Sequence, residues 1–374
     1  MRAHDLIIIG GGISGLGVAA AATARGMRPL VLEAGRCVMA TSNNSLRIIH
    51  GGFRYLQNLH IPRVIRSLQD QSYVFNTFRD AVEPLPCLMP LAPRGLKSKL
   101  PVSAAALTYG AIMKLSGSPI PSPSVISARE VAARVPTLSS HARYGALCWY
   151  DVVMTKPELL AQRLVETISA AGAEVREHTR VRSVSKHENE FQIATESGET
   201  FTTTQVVSTL GPWLDSVPIP SHLKGLRPLW CKGFNITISR QIHPTHALGI
   251  QSADGRLFFC VPRGTGTSIG TWYVPLKNPL GAIDSHPLSV TEEELAHFID
   301  SFNAVLPQEA ITSTDISSVD VGVLPMKHDS RTGPCLYGSE ILHATSGYVE
   351  VLSTKYTTFR SQGRAAVKAL KPLG

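Results

Sequence analysis

A four-residue apolar run, Leu6-Ile7-Ile8-Ile9, breaks at once into Gly10-Gly11-Gly12, and no other feature of the chain narrows its fold as much. Consecutive long or branched apolar side chains fit a strand buried on both faces, as in a parallel sheet. Ser14 to Arg25 is Ala-rich and reads as a helix, with Gly26 as its C-cap. Pro29–Glu33 reads as a second buried strand, so these segments form one strand–helix–strand unit. Gly10-Gly11-Gly12-Ile13-Ser14-Gly15 is a G-x-G-x-x-G pattern set between that first strand and the helix. Gly10 permits the tight turn, Gly12 lets the backbone approach a pyrophosphate, and Gly15 lets helix and strand pack closely. The helix N-terminus faces the phosphates, and Glu33 offers a carboxylate to the ribose hydroxyls. The unit predicts a bound dinucleotide. It does not separate NAD from FAD, although its N-terminal position favours FAD.

Farther along, residues 56–83 read as helical, and the Pro- and Ser-rich stretch from Pro84 to about Ser124 reads as a crossing into a second domain. Lys156–Gly172 is an amphipathic helix, with Leu159, Leu160, Leu164, Val165 and Ile168 repeating at three and four. Val175 to Thr204 alternates like a small meander, with a turn at Ser197-Gly198-Glu199, and Gln205–Leu210 is another buried strand. Residues 226–275 alternate as in an antiparallel sheet, Val290–Leu306 is helical, and Thr357 to Leu370 forms a final helix. The expected fold is α/β: a Rossmann-type nucleotide-binding domain with an interleaved substrate domain on a mostly antiparallel sheet. Residues 1–83, 147–215 and 326–374 are assigned to the first domain, and 84–146 and 216–325 to the second.

Composition excludes several classes. At 374 residues, 43% hydrophobic and 17% charged, the chain is globular. No stretch approaches the ~18–20 apolar residues of a membrane span, and the N-terminal apolar run is too short for a signal peptide. A cytoplasmic location is expected. The six cysteines include no C-x-x-C pair, and no His or Cys stands at zinc spacing, so neither metal nor disulfide is expected. The net charge of +8 suits an anionic substrate and allows a weak peripheral contact with anionic lipid. The basic residues are scattered, with no aromatic-interleaved strip, which argues against nucleic acid.

Specific segments carry a resemblance. The run from Ala40 to Leu56, which includes Thr41, Ser42, Ser45, His50, Gly51, Gly52, Arg54 and Tyr55, resembles the segment after the ribose-binding acid in FAD-dependent glycerol-3-phosphate dehydrogenases, within the D-amino-acid oxidase superfamily. Tyr150-Asp151, Val206–Trp213, Pro262–Thr271 and Ser353–Arg360 resemble further motifs of that family, in family order. The resemblance implies non-covalent FAD. It implies that Thr41, Ser42, Ser45, Gly51 and Gly52 line the flavin, that the Val181 backbone holds the adenine, and that Gly211, with Trp213 beside it, approaches the ADP half. Ile13, Ser14 and Ala34 join the fingerprint residues at the cofactor. Thr354, Lys355, Tyr356, Thr357 and Thr358 would lie over the isoalloxazine, with Thr357 or Thr358 capping the last helix, whose N-terminus would stabilise charge arriving at the flavin. His50, Arg54, Arg331 and Lys355 are the implied catalytic and substrate-binding groups.

The sequence also departs from that family. Where the family carries a phosphate-contacting arginine, this chain has Leu324 in Gly322-Val323-Leu324-Pro325-Met326; a family histidine becomes Asn235; and Ser353-Thr354 replaces a Gly-Gly pair. The family continues into a helical C-terminal domain, whereas this sequence stops at Gly374. The expected reaction is hydride transfer to flavin N5 from a C–H of a small anionic hydroxy or amino substrate, with a carboxylate fitting better than a phosphate. The rivals are an amine or amino-acid oxidase or dehydrogenase, and a flavoprotein with a degraded site kept for binding. The electron acceptor, whether oxygen, quinone or another protein, is left open.

Overall fold

A computed structural model describes residues 4–276, 289–330 and 333–371. The first sheet has six strands, in the order Ile341–Thr345, Tyr348–Leu352, Val206–Ser208, Leu6–Ile9, Pro29–Leu32 and Glu174–Arg176. All neighbours are parallel except the edge strand Ile341–Thr345, which runs antiparallel. Leu6, Ile7, Ile8 and Ile9 are at most 2% exposed, which explains why this run has no polar alternation. Chain order reverses around Leu6–Ile9, with Pro29–Leu32 on one side and Val206–Ser208 on the other. The carboxyl ends of such strands open a crevice, and Gly10 and Thr209 stand at its two lips.

Two helices cross tightly behind this sheet. A Cβ on Gly363, in the last helix Phe359–Ala369, would lie 2.0 Å from the Gly17 carbonyl oxygen, and one on Gly17, in the helix Ile13–Thr23, would lie 2.4 Å from the Phe359 carbonyl oxygen. Only glycine admits that approach. A three-stranded antiparallel sheet, Val181–His187, Glu190–Thr195 and Thr200–Thr203, covers one end.

The large sheet follows the order Cys335–Leu336, Ile316–His328, Leu229–Ile238, Gly266–Pro275, Leu257–Arg263, Ala247–Gln251, Val82–Pro90, Ala146–Met154 and Ile48–Ile49, with Ser124–Ile126 also paired to Ala146–Met154. It is antiparallel apart from the contact between Ala247–Gln251 and Val82–Pro90. Both Ile48–Ile49 and most of Ala146–Met154 come from segments assigned to the first domain, so the two units share strands. Phe258, Trp272, Phe298 and Phe302 pack between this sheet and the helix Glu292–Val305, Phe258 stacked on Trp272 and the other ring contacts edge to face. That helix starts in a capping box between Thr291 and Glu294, which satisfies backbone N–H groups that a helix start leaves unpaired.

Two expectations need correction. Residues 56–83 are not one helix: a short 3-10 turn, Phe53–Asn58, precedes the helix Ile61–Thr77, whose first turn holds Pro62. The proline cannot sit deep inside a helix, and so it marks the start. The stretch 84–124 is not mere connection, since it contains the strand Val82–Pro90 and the helix Lys99–Leu115. Pro84, Pro86 and Pro90 share parity, so their missing N–H groups lie on one edge, and the alternate residues stay free to donate across the other. All six cysteines are free thiols, five of them buried.

Candidate active site

One cavity of about 2050 Å³ runs from the crevice of the parallel sheet to the face of the large sheet. At the crevice end Gly10 has φ +101, and a Cβ there would meet the Thr209 carbonyl oxygen at 2.8 Å. A Cβ on Gly15 would fall 1.9 Å from the Gly10 carbonyl oxygen, so this glycine serves the contact between helix and turn. A Cβ on Gly12 would meet only Ser42 Oγ, at 3.4 Å, leaving the groove floor open. Gly12 is the N-cap of Ile13–Thr23, and no side chain caps it. Ile13 N–H donates to Ser42 Oγ at 3.2 Å, and the Ser14 hydroxyl reaches Gln362 Oε1 at 3.1 Å.

Glu33 accepts backbone N–H bonds at both oxygens, from Gly11 at 2.6 Å and Gly35 at 2.8 Å. A carboxylate has about four acceptor sites, so two remain for the groove that Glu33 and Ala34 line. Val181, Gly211 and Trp213 line the same end, and Gly211, at φ +56, has no atom within 4 Å of its Cβ position. Bare glycine backbone, an uncapped helix start and a carboxylate with spare acceptor sites fit the pyrophosphate and ribose of a dinucleotide.

The other end is polar and basic. Thr41, Ser42, Ser45, Gly52, His50 and Arg54 line the cavity from one side, and Thr354, Lys355, Tyr356, Thr357 and Thr358 from another. The Thr41 hydroxyl accepts from Val323 N–H, and Ser45 Oγ from Arg47 N–H. Gly51 is not on the wall: a Cβ there would meet the Tyr109 hydroxyl at 2.2 Å, so it serves packing and donates its N–H to Asp151. Thr358 occupies the N-cap position of the last helix without a side-chain cap bond, while Thr357 Oγ1 accepts from His50 N–H at 3.0 Å. Arg331 lies outside the described residues.

Two constellations form here that sequence spacing does not reveal. The first joins His50 to Asp151, 101 residues away, through Nδ1 and Oδ2 at 2.9 Å. Asp151 is 3% exposed and also accepts from Gly51 N–H, Trp149 Nε1 and, at 3.3 Å, Gln71 Nε2. A carboxylate so surrounded by donors only accepts, which keeps the proton of a neutral His50 on Nδ1 and leaves the Nε2 lone pair free. The second joins Lys355 to Tyr55, 300 residues away: Lys355 Nζ donates to the Tyr55 hydroxyl and, at 3.2 Å, to the Gly338 carbonyl. The Arg63 guanidinium also lies over the Tyr55 ring, 4.2 Å from its centre. Burial holds the Lys355 ammonium below the usual lysine range, and Arg63 and Arg66 act in the same direction against the opposing pull of Tyr55. Lys97 is lowered likewise, by burial and then by Arg54.

The cavity carries three carboxylates: Glu33, Glu196, which lies near Arg180, and the enclosed Asp151. Arg54, Arg63, Lys97 and Lys355 therefore set a positive field at this second end that no exposed carboxylate answers among the described residues. Leu324 and Asn235 line the cavity too, with Asn235 Oδ1 held by the Thr271 hydroxyl at 2.8 Å. Asp151, Arg63 and Lys97 carried no role in the sequence reading. The only signal for Asp151 was its place in a quoted motif, and nothing local marked the other two.

A doubly wound crevice feeding a polar cavity under a mostly antiparallel sheet defines a class of nucleotide-dependent redox protein. The chain belongs to the DAO family of FAD dependent oxidoreductases, whose model matches residues 5–349. FAD is the cofactor of that family, and its members are enzymes. Among curated proteins, the chain is 26% identical to the aerobic glycerol-3-phosphate dehydrogenase of Staphylococcus aureus strain USA300, over 97% of this chain and 66% of the relative. It thus spans just under two thirds of that relative's length. Among solved structures it resembles glycerol-3-phosphate dehydrogenase from Bacillus halodurans complexed with FAD, at TM-score 0.71 and 19% identity, covering 98% of this chain and 64% of the other. Glycine oxidase from Geobacillus kaustophilus matches at TM-score 0.67 and 17% identity, covering 98% and 94%.

Proposed function

We propose that this chain binds FAD along the cavity and oxidises a small anionic substrate at a carbon bearing a hydroxyl or amino group. The observation that carries the reading is the single cavity that joins a dinucleotide crevice to a basic pocket holding the His50–Asp151 pair. When bound, FAD supplies the acceptor for a hydride. Gly10, Gly12 and the start of Ile13–Thr23 would hold the pyrophosphate, and Glu33 the ribose. Arg54 would bind the substrate anion, alone or with Arg331. His50 Nε2 would take the hydroxyl or amine proton, and Asp151 would hold the imidazole in the tautomer that can do so. Lys355, with Tyr55, would orient the substrate and stabilise negative charge as it develops.

Leu324 and Asn235 set the substrate class. Leu324 presents hydrocarbon at the position where the resemblance leads to a phosphate-contacting guanidinium, and Asn235 has no proton to exchange near neutrality. A carboxylate needs one bidentate arginine, whereas a phosphate dianion recruits more positive charge. A 2-hydroxy or 2-amino acid therefore fits better than glycerol 3-phosphate. Amine oxidation keeps its place as the second reading, because a neutral His50 with a free Nε2 serves an ammonium proton as well as a hydroxyl proton. The test is anaerobic bleaching of the FAD-loaded protein against hydroxy acids, amino acids and polyol phosphates. Bleaching by a carboxylate substrate is the expected result. Bleaching by glycerol 3-phosphate alone would overturn the assignment of substrate class, and no bleaching by any compound would favour a binding protein.

A further inference from the structure

The helix Lys99–Leu115 is apolar on two opposite faces. One face buries Val102, Ala106, Tyr109 and Met113 against the protein. On the other, Leu100, Leu107 and Leu115 are 83%, 77% and 89% exposed, and Leu96 just before the helix is 75% exposed. At 100° per residue, Leu100, Ala104, Leu107, Ala111 and Leu115 fall in one narrow stripe along the ~25 Å of a helix this long. The other large apolar side chain of comparable exposure among the described residues, Leu59 at 80%, ends the turn Phe53–Asn58 that touches this helix. Exposed leucines gathered on one face of this kind mark a surface meant to be covered.

The charge around the stripe says what covers it. From Pro84 to Arg129, 46 residues, the chain contains no Asp or Glu, while Arg94, Lys97, Lys99, Lys114 and Arg129 give five cations. With 28 acidic residues in 374, a stretch of that length would ordinarily hold about three. Arg94, Lys99 and Lys114 are exposed and have no carboxylate partner among the described residues. Leucines that enter an acyl boundary, flanked by cations at headgroup level, are the two signals that together hold a helix on an anionic membrane. We propose that this face docks on an anionic lipid surface, with Lys99–Leu115 lying in the plane of the interface. Among the described residues no helix is long and apolar enough to cross a membrane. Met89 and Lys97 of the same segment line the large cavity, so the docking face lies beside its rim.

The test is flotation with phosphatidylcholine vesicles and with mixed phosphatidylcholine–phosphatidylglycerol vesicles, with sedimentation velocity on the same samples. The full chain is expected to float with the mixed vesicles, weakly or not at all with the neutral ones, and less as salt rises. Leu100→Ser with Leu107→Ser should lower binding about tenfold or more, since each leucine loses its apolar burial. Lys99→Glu with Lys114→Glu should lower it comparably, and it carries the test if the leucine pair unfolds the chain. Failure of the native chain to float at low salt, or flotation of both variants at its level, overturns the proposal. So does self-association that the leucine substitutions abolish without any lipid binding, because a second copy would then be what covers the face.

Discussion

Lys355 and Arg63 share the ring of Tyr55, and a shared aromatic ring does not by itself relieve two cations held so close. Their mutual repulsion, added to burial, is a standing cost that a substrate anion would relieve. Lys355→Met keeps length and apolar bulk while removing the charge. It is expected to slow substrate reduction of the flavin at least about tenfold, roughly 1.4 kcal/mol of barrier, while FAD affinity stays nearly constant. Stopped-flow reduction under anaerobic conditions reads this directly, and a rate within twofold of wild type would remove Lys355 from the reaction. Asp151→Asn tests the other pair. The amide puts a donor among Gly51 N–H, Trp149 Nε1 and Gln71 Nε2, which already donate, and it no longer fixes the His50 tautomer. Anaerobic stopped-flow reduction should slow by about two decades or more, in line with loss of a positioned base. A rate close to that of wild type would mean that the base is not His50.

Between elements, the helix Ile61–Thr77 meets the last helix through Asp70, which accepts from Ser361 Oγ at 2.5 Å. Burial pushes the Asp70 carboxyl up to about 6, against Ser361, Arg360, Arg66 and Arg364, which pull it down. A raised carboxylate value makes folding take up a proton between the unfolded value near 4 and about 6, so this group's contribution falls as pH rises through that window. Above it, the native state carries a buried charge at a cost on the order of 3 kcal/mol. Asp70→Asn keeps an acceptor for Ser361 and removes the ionisation. The stability of the variant relative to wild type, from urea midpoints, should therefore rise by that order between acid and mildly basic pH. A difference that stays flat with pH would show that folding does not shift the Asp70 carboxyl.

At the scale of the whole molecule, the cavity walls come from both sheets: Gly10, Glu33 and Gly211 from one, Trp230, Trp272 and Val321–Pro325 from the other. A ligand filling that space joins the two units. FAD at a hundred times its dissociation constant should stabilise the chain by about 2.7 kcal/mol, seen as a rise of several degrees in thermal midpoint. The denatured protein should release the flavin and keep its apoprotein mass. Glu33→Ala should cut FAD affinity by about one to two decades, the worth of a charge-assisted hydrogen bond, and shrink that thermal shift accordingly. An undiminished shift would place the ribose on another group.

What the sequence determined by itself is local. The βαβ unit, Glu33 at its end and the helices now seen at Pro157–Ala170 and Glu292–Val305 all follow from periodicity and glycine positions within about thirty residues. Tertiary structure alone decided the rest. His50 meets Asp151 across 101 residues and Tyr55 meets Lys355 across 300, and no spacing rule spans such distances. The strand Val82–Pro90 exists because a neighbouring strand pairs with it despite three prolines, against its own propensity. Lys99–Leu115 shows apolar residues on every side in sequence, and only packing separates the face that enters the core from the face that does not, because burial is a property of neighbours and not of the residue.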